Sequence, residues 1–168
     1  MPYNGAKVKR ERQRLVDAVL KAKTQPLEYD QPLIEGRITS GFGPRTHPVT
    51  GEKGKFHPGI DIAAPEGDPI FATEDGFVSQ AQHKSSGSVR GNNVSIKHPD
   101  GRETRYEHMS RFGKSALRGG PVKKGDVLGY VGSTGRSTGN HLHYGMYEGA
   151  TPRDPFAPRK PKRQYAAR

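Results

Sequence analysis

From Ile34 onward the chain divides into short runs of apolar and β-branched residues, each stopped within a few positions by Gly, Pro, Asp or Asn. That punctuation leaves no room for long helices and reads as a succession of short strands joined by tight turns. Asn93–His98 and Glu103–Met109 flank Pro99-Asp100-Gly101, a strong hairpin signal. Pro69–Thr73 and Gly76–Gln80 flank the turn Glu74-Asp75, and Asp126–Val131 and His141–Tyr147 complete the set. Local pairing of this kind predicts a mostly β fold with an antiparallel sheet core. The 22 glycines and 14 prolines among 168 residues, with only 30% hydrophobic residues, agree with a turn-rich β domain carrying polar ends.

The ends differ from the middle. Val8, Leu15, Val16, Val19 and Ala22 recur near a helical period, which predicts a basic amphipathic helix over Ala6–Lys23, solvated and packing one narrow stripe on the core. Thr24–Leu33, with Pro26 and Pro32, reads as an extended linker, and the Pro-, Lys- and Arg-rich stretch after Asp154 as an extended arm. The expected division is a basic helix and linker over 1–33, a folded domain over 34–155, and a basic tail over 156–168. Of the net charge of +11, residues 1–23 carry +5, residues 151–168 another +5, and the middle +1. A nucleic-acid-binding domain carries its excess on the folded body, so no nucleic-acid partner is expected. Charge placed on the ends points instead to adhesion to anionic polymers or to a protein partner.

No apolar run approaches the roughly 18 residues that span a bilayer, so no membrane span is expected. The basic N-terminus is followed by no apolar h-region, so no secretory signal peptide is read there. With no cysteine in the chain, a disulfide framework, a thiol nucleophile and a cysteine-bound zinc are excluded.

The chemistry must therefore come from the seven histidines and the carboxylates. His57 and Asp61 form H-x-x-x-D, and His141 and His143 form H-x-H far downstream. In a strand, residues two apart share a face, so His141 and His143 project together while Leu142, Tyr144 and Met146 face the core. Two imidazoles on one face, with a His/Asp pair from a turn, can converge on one cation, and this donor set suits Zn2+. Four ligands would close the site. A hydrolase needs an open position and a proton-handling group, so His57, Asp61 and one of the H-x-H pair belong on the metal and the other beside the water. Spacing alone leaves open which of the pair does which. His47, His83 and His98 fall in loops and turns and carry no expected role. Arg45 and Asn93 are candidates for lining the groove, or for structural work at a turn or strand edge.

Gly41-Phe42-Gly43-Pro44-Arg45, His57-Pro58-Gly59-Ile60-Asp61-Ile62-Ala63-Ala64-Pro65 and Ala72-Thr73-Glu74-Asp75-Gly76-Phe77-Val78 resemble motifs of the lysostaphin-like (LytM-type) zinc metallopeptidases. So do Tyr106-Glu107-His108-Met109-Ser110 and Val131-Gly132-Ser133-Thr134-Gly135-Arg136-Ser137-Thr138-Gly139-Asn140-His141-Leu142-His143, the order and spacing matching over about Ile38 to Pro155. The resemblance implies one zinc ion held by His57, Asp61 and His143, with His141 and His108 as the unliganded pair that activates water and stabilises the oxyanion. It also implies the substrate, the peptide cross-links of bacterial peptidoglycan, and among the bonds cut in such walls it favours D-alanyl–diaminopimelate. The absent signal peptide suggests action in the periplasm or cell wall after release at lysis or arrival with a phage particle, the basic ends gripping envelope polymers or a virion protein. A non-catalytic wall-binding regulator of the same fold is the alternative, disfavoured because all five positions are intact. A swinging-arm carrier domain is suggested by Pro69–Val78 and Val122–Gly129 and opposed by the missing hairpin lysine.

Overall fold

The structure is a computed structural model that describes residues 9–10, 13–14, 16–17, 20, 31–33, 35–45, 53–84 and 88–157. Among the described residues thirteen short strands follow one another: β1 (Arg37–Ser40), β2 (Gly43–Arg45), β3 (Lys55–His57), β4 (Ile60–Ala63), β5 (Pro69–Phe71), β6 (Gly76–Gln82), β7 (Asn92–Lys97), β8 (Arg102–Met109), β9 (Arg111–Phe112), β10 (Gly120–Val122), β11 (Val127–Tyr130), β12 (His141–Glu148) and β13 (Thr151–Arg153). One short helix, Lys114–Arg118, sits between β9 and β10 and buries Ala116. The large sheet has the order β1-β4-β12-β8-β7-β6-β10, with β13 added to β12; β5-β11-β9 form a small sheet and β2-β3 a separate ribbon. Every pairing is antiparallel. The mostly β, antiparallel architecture is as expected.

The central strands alternate. Ile60 and Ile62, Val94 and Ile96, Leu142 and Tyr144 are buried on one face of the large sheet, and Ile70, Leu128 and Val131 join them in the core. The opposite face carries Asp61, His141 and His143. Register fixes their closeness, because β4 and β12 place Asp61 directly opposite His143. The expected β7–β8 hairpin is present, closed by the Gly101 N–H donating to the His98 carbonyl at 3.0 Å.

The segments either side of Glu74-Asp75 do not pair with each other. β5 pairs with β11 in the small sheet, whereas β6 lies between β7 and β10 in the large one. The chain crosses between sheets at Ala72–Asp75, and buried polar contacts hold the crossing. The Thr73 hydroxyl lies 2.9 Å from the Tyr106 hydroxyl and 3.0 Å from that of Tyr144, and the Thr73 N–H donates to Tyr106 at 3.1 Å. His98 closes the network: Nδ1–H donates to the Asp75 carbonyl at 2.9 Å, leaving Nε2 to accept the Thr104 hydroxyl at 2.8 Å. An alternating pattern shows that a segment is a strand, but not which sheet it joins.

The described positions between 9 and 20 are helical. Val16 and Leu20 are exposed there, so at these two positions the expected stripe is not seated on the core. Arg14 instead reaches Asp68 with an ion pair of 3.1 Å. Most of the expected linker lies outside the described residues, but its end docks: Leu33 is buried and the Pro32 carbonyl accepts the Phe71 N–H at 2.9 Å. The basic tail beyond residue 157, and His47 with its loop, lie outside the described residues. No described helix is long and apolar enough to cross a membrane.

Candidate metal centre

His57 ends β3, Asp61 lies in β4, and Pro58-Gly59 connects them, so the H-x-x-x-D pair comes from two strands rather than from one turn. His143 lies beside them on β12. Three atoms converge: His143 Nδ1 is 2.8 Å from Asp61 Oδ1, His57 Nε2 is 3.2 Å from that oxygen, and the two nitrogens are 3.1 Å apart. Among the described residues this is the group able to hold a metal ion. A tetrahedral zinc with bonds of about 2.0–2.1 Å separates its ligands by roughly 3.3 Å, so the triangle fits such a cation with little adjustment. Hydrogen bonding agrees with the geometry. His57 Nδ1 lies 2.7 Å from the Gly41 carbonyl, which can only accept, so Nδ1 carries the proton and Nε2 turns its lone pair inward.

Asp61 is arranged as an anion. Burial alone would raise its pKa, but the facing His143 and His57 rings outweigh burial and hold the carboxyl well below the usual range. Arg45 stands at its second oxygen, with Nη1 3.5 Å from Asp61 Oδ2 and 2.5 Å from the Ser40 hydroxyl. The groove-lining expectation for Arg45 thus takes the form of a contact with a candidate ligand.

His141 and His108 lie beside the triangle, their rings 4.7 Å apart and that of His108 6.3 Å from that of His143. Both are oriented the same way. His141 Nδ1–H donates to the Gly139 carbonyl at 2.8 Å and His108 Nδ1–H to the Thr134 carbonyl at 2.8 Å. In each ring the carbonyl fixes the tautomer, leaving Nε2 as an acceptor. His141 Nε2 is 4.0 Å from Asp61 Oδ1.

His108 reaches this face by breaking the strand's rule. Tyr106 is a core residue, so alternation would send His108 into the core as well. The β7–β8 register shifts between Asn92 and Val94, and His108 has φ 64°, the one positive φ outside glycine among the described residues. Such an irregularity re-aims a side chain. Asn92 secures it by donating from Nδ2 to the Met109 carbonyl at 3.0 Å, and the Thr134 hydroxyl donates to the same carbonyl at 2.7 Å. The glycines nearby serve this construction. A Cβ on Gly91 would lie 2.4 Å from Thr134 backbone, and one on Gly135 2.3 Å from Gly91 N, so the loops before β7 and before β12 meet backbone to backbone. Gly135 is thus accounted for by contact with its neighbouring loop.

Burial pushes the His108 ring down to about 4; the hydrogen bond to Thr134 raises it and the nearby His141 and His143 lower it. A metal cation would act in the same downward direction. His108 is therefore expected to stay neutral until pH falls to about 4, and proton NMR of the ring resonances should show titration there rather than near the usual 6.5. Midpoint titration near 6.5 in the folded protein would contradict the buried setting.

The other described histidines lie apart: His83 packs edge-on to Phe112 at 5.9 Å, and His98 belongs to the buried network. Sequence spacing also passed over Glu107, which is opposite His143 across the β8–β12 pair. Burial raises its pKa, against the lowering influence of His143, Arg90 and Arg105. Its only sequence signal was its place in the Tyr106–Ser110 motif, where an exposed-looking charge is easily read as solvated.

An antiparallel β fold that gathers two histidines and an aspartate at one point, with two further histidines beside them, has the makings of a single-ion metal centre. The chain belongs to peptidase family M23, a family of zinc metallopeptidases, which it matches over residues 55–155. It is 46% identical over 114 residues to the DD-carboxypeptidase/endopeptidase Mpg of Neisseria meningitidis, covering 68% of this chain and 25% of that protein. It is 43% identical over 114 residues to the peptidoglycan DD-endopeptidase ShyC of Vibrio cholerae, covering 67% and 25%. A zinc-containing peptidase from Vibrio cholerae superposes with a TM-score of 0.67 at 36% identity, over 79% of this chain and 40% of that one. The chain thus matches about a quarter of the length of these two curated relatives.

Proposed function

We propose that this chain is a zinc endopeptidase that hydrolyses the peptide cross-links of bacterial peptidoglycan, at the D-alanyl–diaminopimelate bond. The observation that carries the reading is the ligand triangle of His57, Asp61 and His143 with two similarly oriented histidines beside it. His57 Nε2, Asp61 Oδ1 and His143 Nδ1 would hold the ion. Zinc supplies a Lewis acid for the scissile carbonyl and makes hydroxide available near neutrality. His141, through Nε2, takes the proton released as the nucleophile forms and returns it to the leaving amine. His108, its ring fixed by Thr134, presents Nε2 as a second acceptor for the protons of the attacking water. The two relatives named for DD-cleavage support the choice of bond. Action on such a substrate places the chain in the periplasm or cell wall, and its basic ends suit contact with anionic envelope polymers.

Purified sacculi from a directly cross-linked wall provide the test. The zinc-loaded chain is expected to release fragments with a new diaminopimelate amine and a new D-alanine carboxylate, and a chelator should stop the release until zinc is restored. Tight zinc binding without fragment release would identify a wall-binding regulator instead.

A further inference from the structure

A second set of buried polar groups lies on the same sheet face as the histidines, and the hydrolytic chemistry does not use it. β12 pairs with β8 so that His143 faces Glu107, and across β8 the irregular register with β7 brings in Asn93. Glu107 is 7% exposed and Asn93 1%. Asn93 Nδ2 donates to the Gly91 carbonyl at 2.8 Å, whereas its Oδ1 accepts no hydrogen bond from the described residues. The Glu107 carboxylate is likewise without a hydrogen bond among them. The closest cation is Arg90, with Nε 3.9 Å from Oε1, beyond hydrogen-bond reach.

A fully buried acceptor without a partner, as Asn93 Oδ1 is, costs about 1–3 kcal/mol, and the Glu107 carboxylate beside His143 adds unused accepting capacity. Beside a reaction centre they are better explained by a donor that arrives with the substrate. Both groups accept, and one is a carboxylate, so the matching donor is a cation with several N–H bonds, a primary ammonium. The rim adds the opposite charge. Arg90 and Arg105 both interact electrostatically with Glu107, their side chains 32% and 29% exposed. Arg105 is already engaged with Glu103 at 2.6 Å, while the closest ion pair of Arg90 is the long one to Glu107. Unused acceptors with a partly exposed guanidinium beside them are complementary to an amino-acid head group, an ammonium and a carboxylate on one carbon.

We infer that Glu107 and Asn93 receive the ammonium, and Arg90 the carboxylate, of a free amino-acid head carried by the cross-linked peptide close to the scissile bond. The inference rests on the proposed endopeptidase reading and adds a specificity pocket to it. Glu107 is here a residue of substrate selection, and hydrolysis proceeds at the neighbouring histidines.

The test uses two versions of one cross-linked muropeptide dimer, with that amine free or acetylated, and full-length zinc-loaded protein. The wild type is expected to favour the free amine by about 10-fold in kcat/KM, mostly through KM, the value of one hydrogen bond to a charged group. The isosteric Glu107→Gln, checked for unchanged zinc content, should lose most of that preference by raising KM for the free dimer. Arg90→Gln should raise KM while keeping the sensitivity to acetylation. Equal treatment of both dimers by the wild type, or an equal loss on both in Glu107→Gln, overturns the inference; so does no change in Glu107→Gln, the result if a trapped water alone fills the pocket. If the wild type cleaves neither dimer, the endopeptidase reading has failed, and the pocket is then read by equilibrium binding to zinc-loaded His141→Ala. Binding of the free amine about 10-fold tighter supports the pocket, and equal affinities overturn it.

Discussion

Replacing His143 by alanine is expected to yield a protein that no longer retains zinc and no longer turns over, whereas His141→Ala should keep close to one equivalent of zinc and still be inactive. The two residues are two positions apart on one strand, yet their surroundings differ. His143 Nδ1 is within 3.1 Å of both other candidate ligand atoms, so its removal leaves a two-ligand site. His141 Nε2 stays 4.0 Å from Asp61 and has its ring anchored by the Gly139 carbonyl instead. Loss of a proton-handling group costs on the order of 10²–10⁴-fold in rate. Loss of a ligand removes the centre itself, and the rate should fall by at least as much. Zinc content by atomic absorption, beside fragment release from sacculi, separates the two. Full turnover by either variant, or loss of zinc from His141→Ala alone, would reverse the assignment.

The second large effect is expected from a methyl group. In Gly59→Ala the new Cβ would lie 2.5 Å from the Tyr144 carbonyl oxygen and 2.8 Å from His143 Nε2. Neither neighbour can yield: Tyr144 is fully buried backbone of the central strand, and moving the His143 ring takes Nδ1 away from Asp61. Overpacking of this kind costs about 1–3 kcal/mol, and here the displacement falls on a candidate ligand. The variant should therefore lose both stability in urea and affinity for zinc. By contrast Gly139→Ala, whose Cβ would meet nothing within 4 Å, should leave both within error of wild type. Undiminished zinc affinity in Gly59→Ala would show that the His57–Asp61 connection does not need its close approach to β12.

Different parts of this protein were legible to different degrees. Period-two alternation along 141–147 predicts two histidines on one face and Leu142, Tyr144 and Met146 on the other, and the burial of those three bears it out. The β7–β8 hairpin follows from its Pro-Asp-Gly turn for an equally local reason. The separation of β5 from β6 does not, because the partner strand β11 lies more than fifty residues away and the crossing is held by the Thr73 contacts with Tyr106 and Tyr144.

His108 marks the boundary between the two kinds of information. Its place on the reacting face was available from resemblance but not from spacing, since alternation from Tyr106 points it into the core. Only the tertiary structure turns it, through a positive φ sustained by Asn92, Thr134 and the abutting Gly91 and Gly135 loops, all of them distant from it in sequence. Glu107 and Asn93 likewise become neighbours of the centre by register. The amino-acid sequence by itself determined the antiparallel β class and the H-x-H face, because both depend on a repeat of two residues. The folded chain decided which distant histidine joins them and which buried acceptors lie beside them, because those depend on pairings between segments that local pattern does not specify.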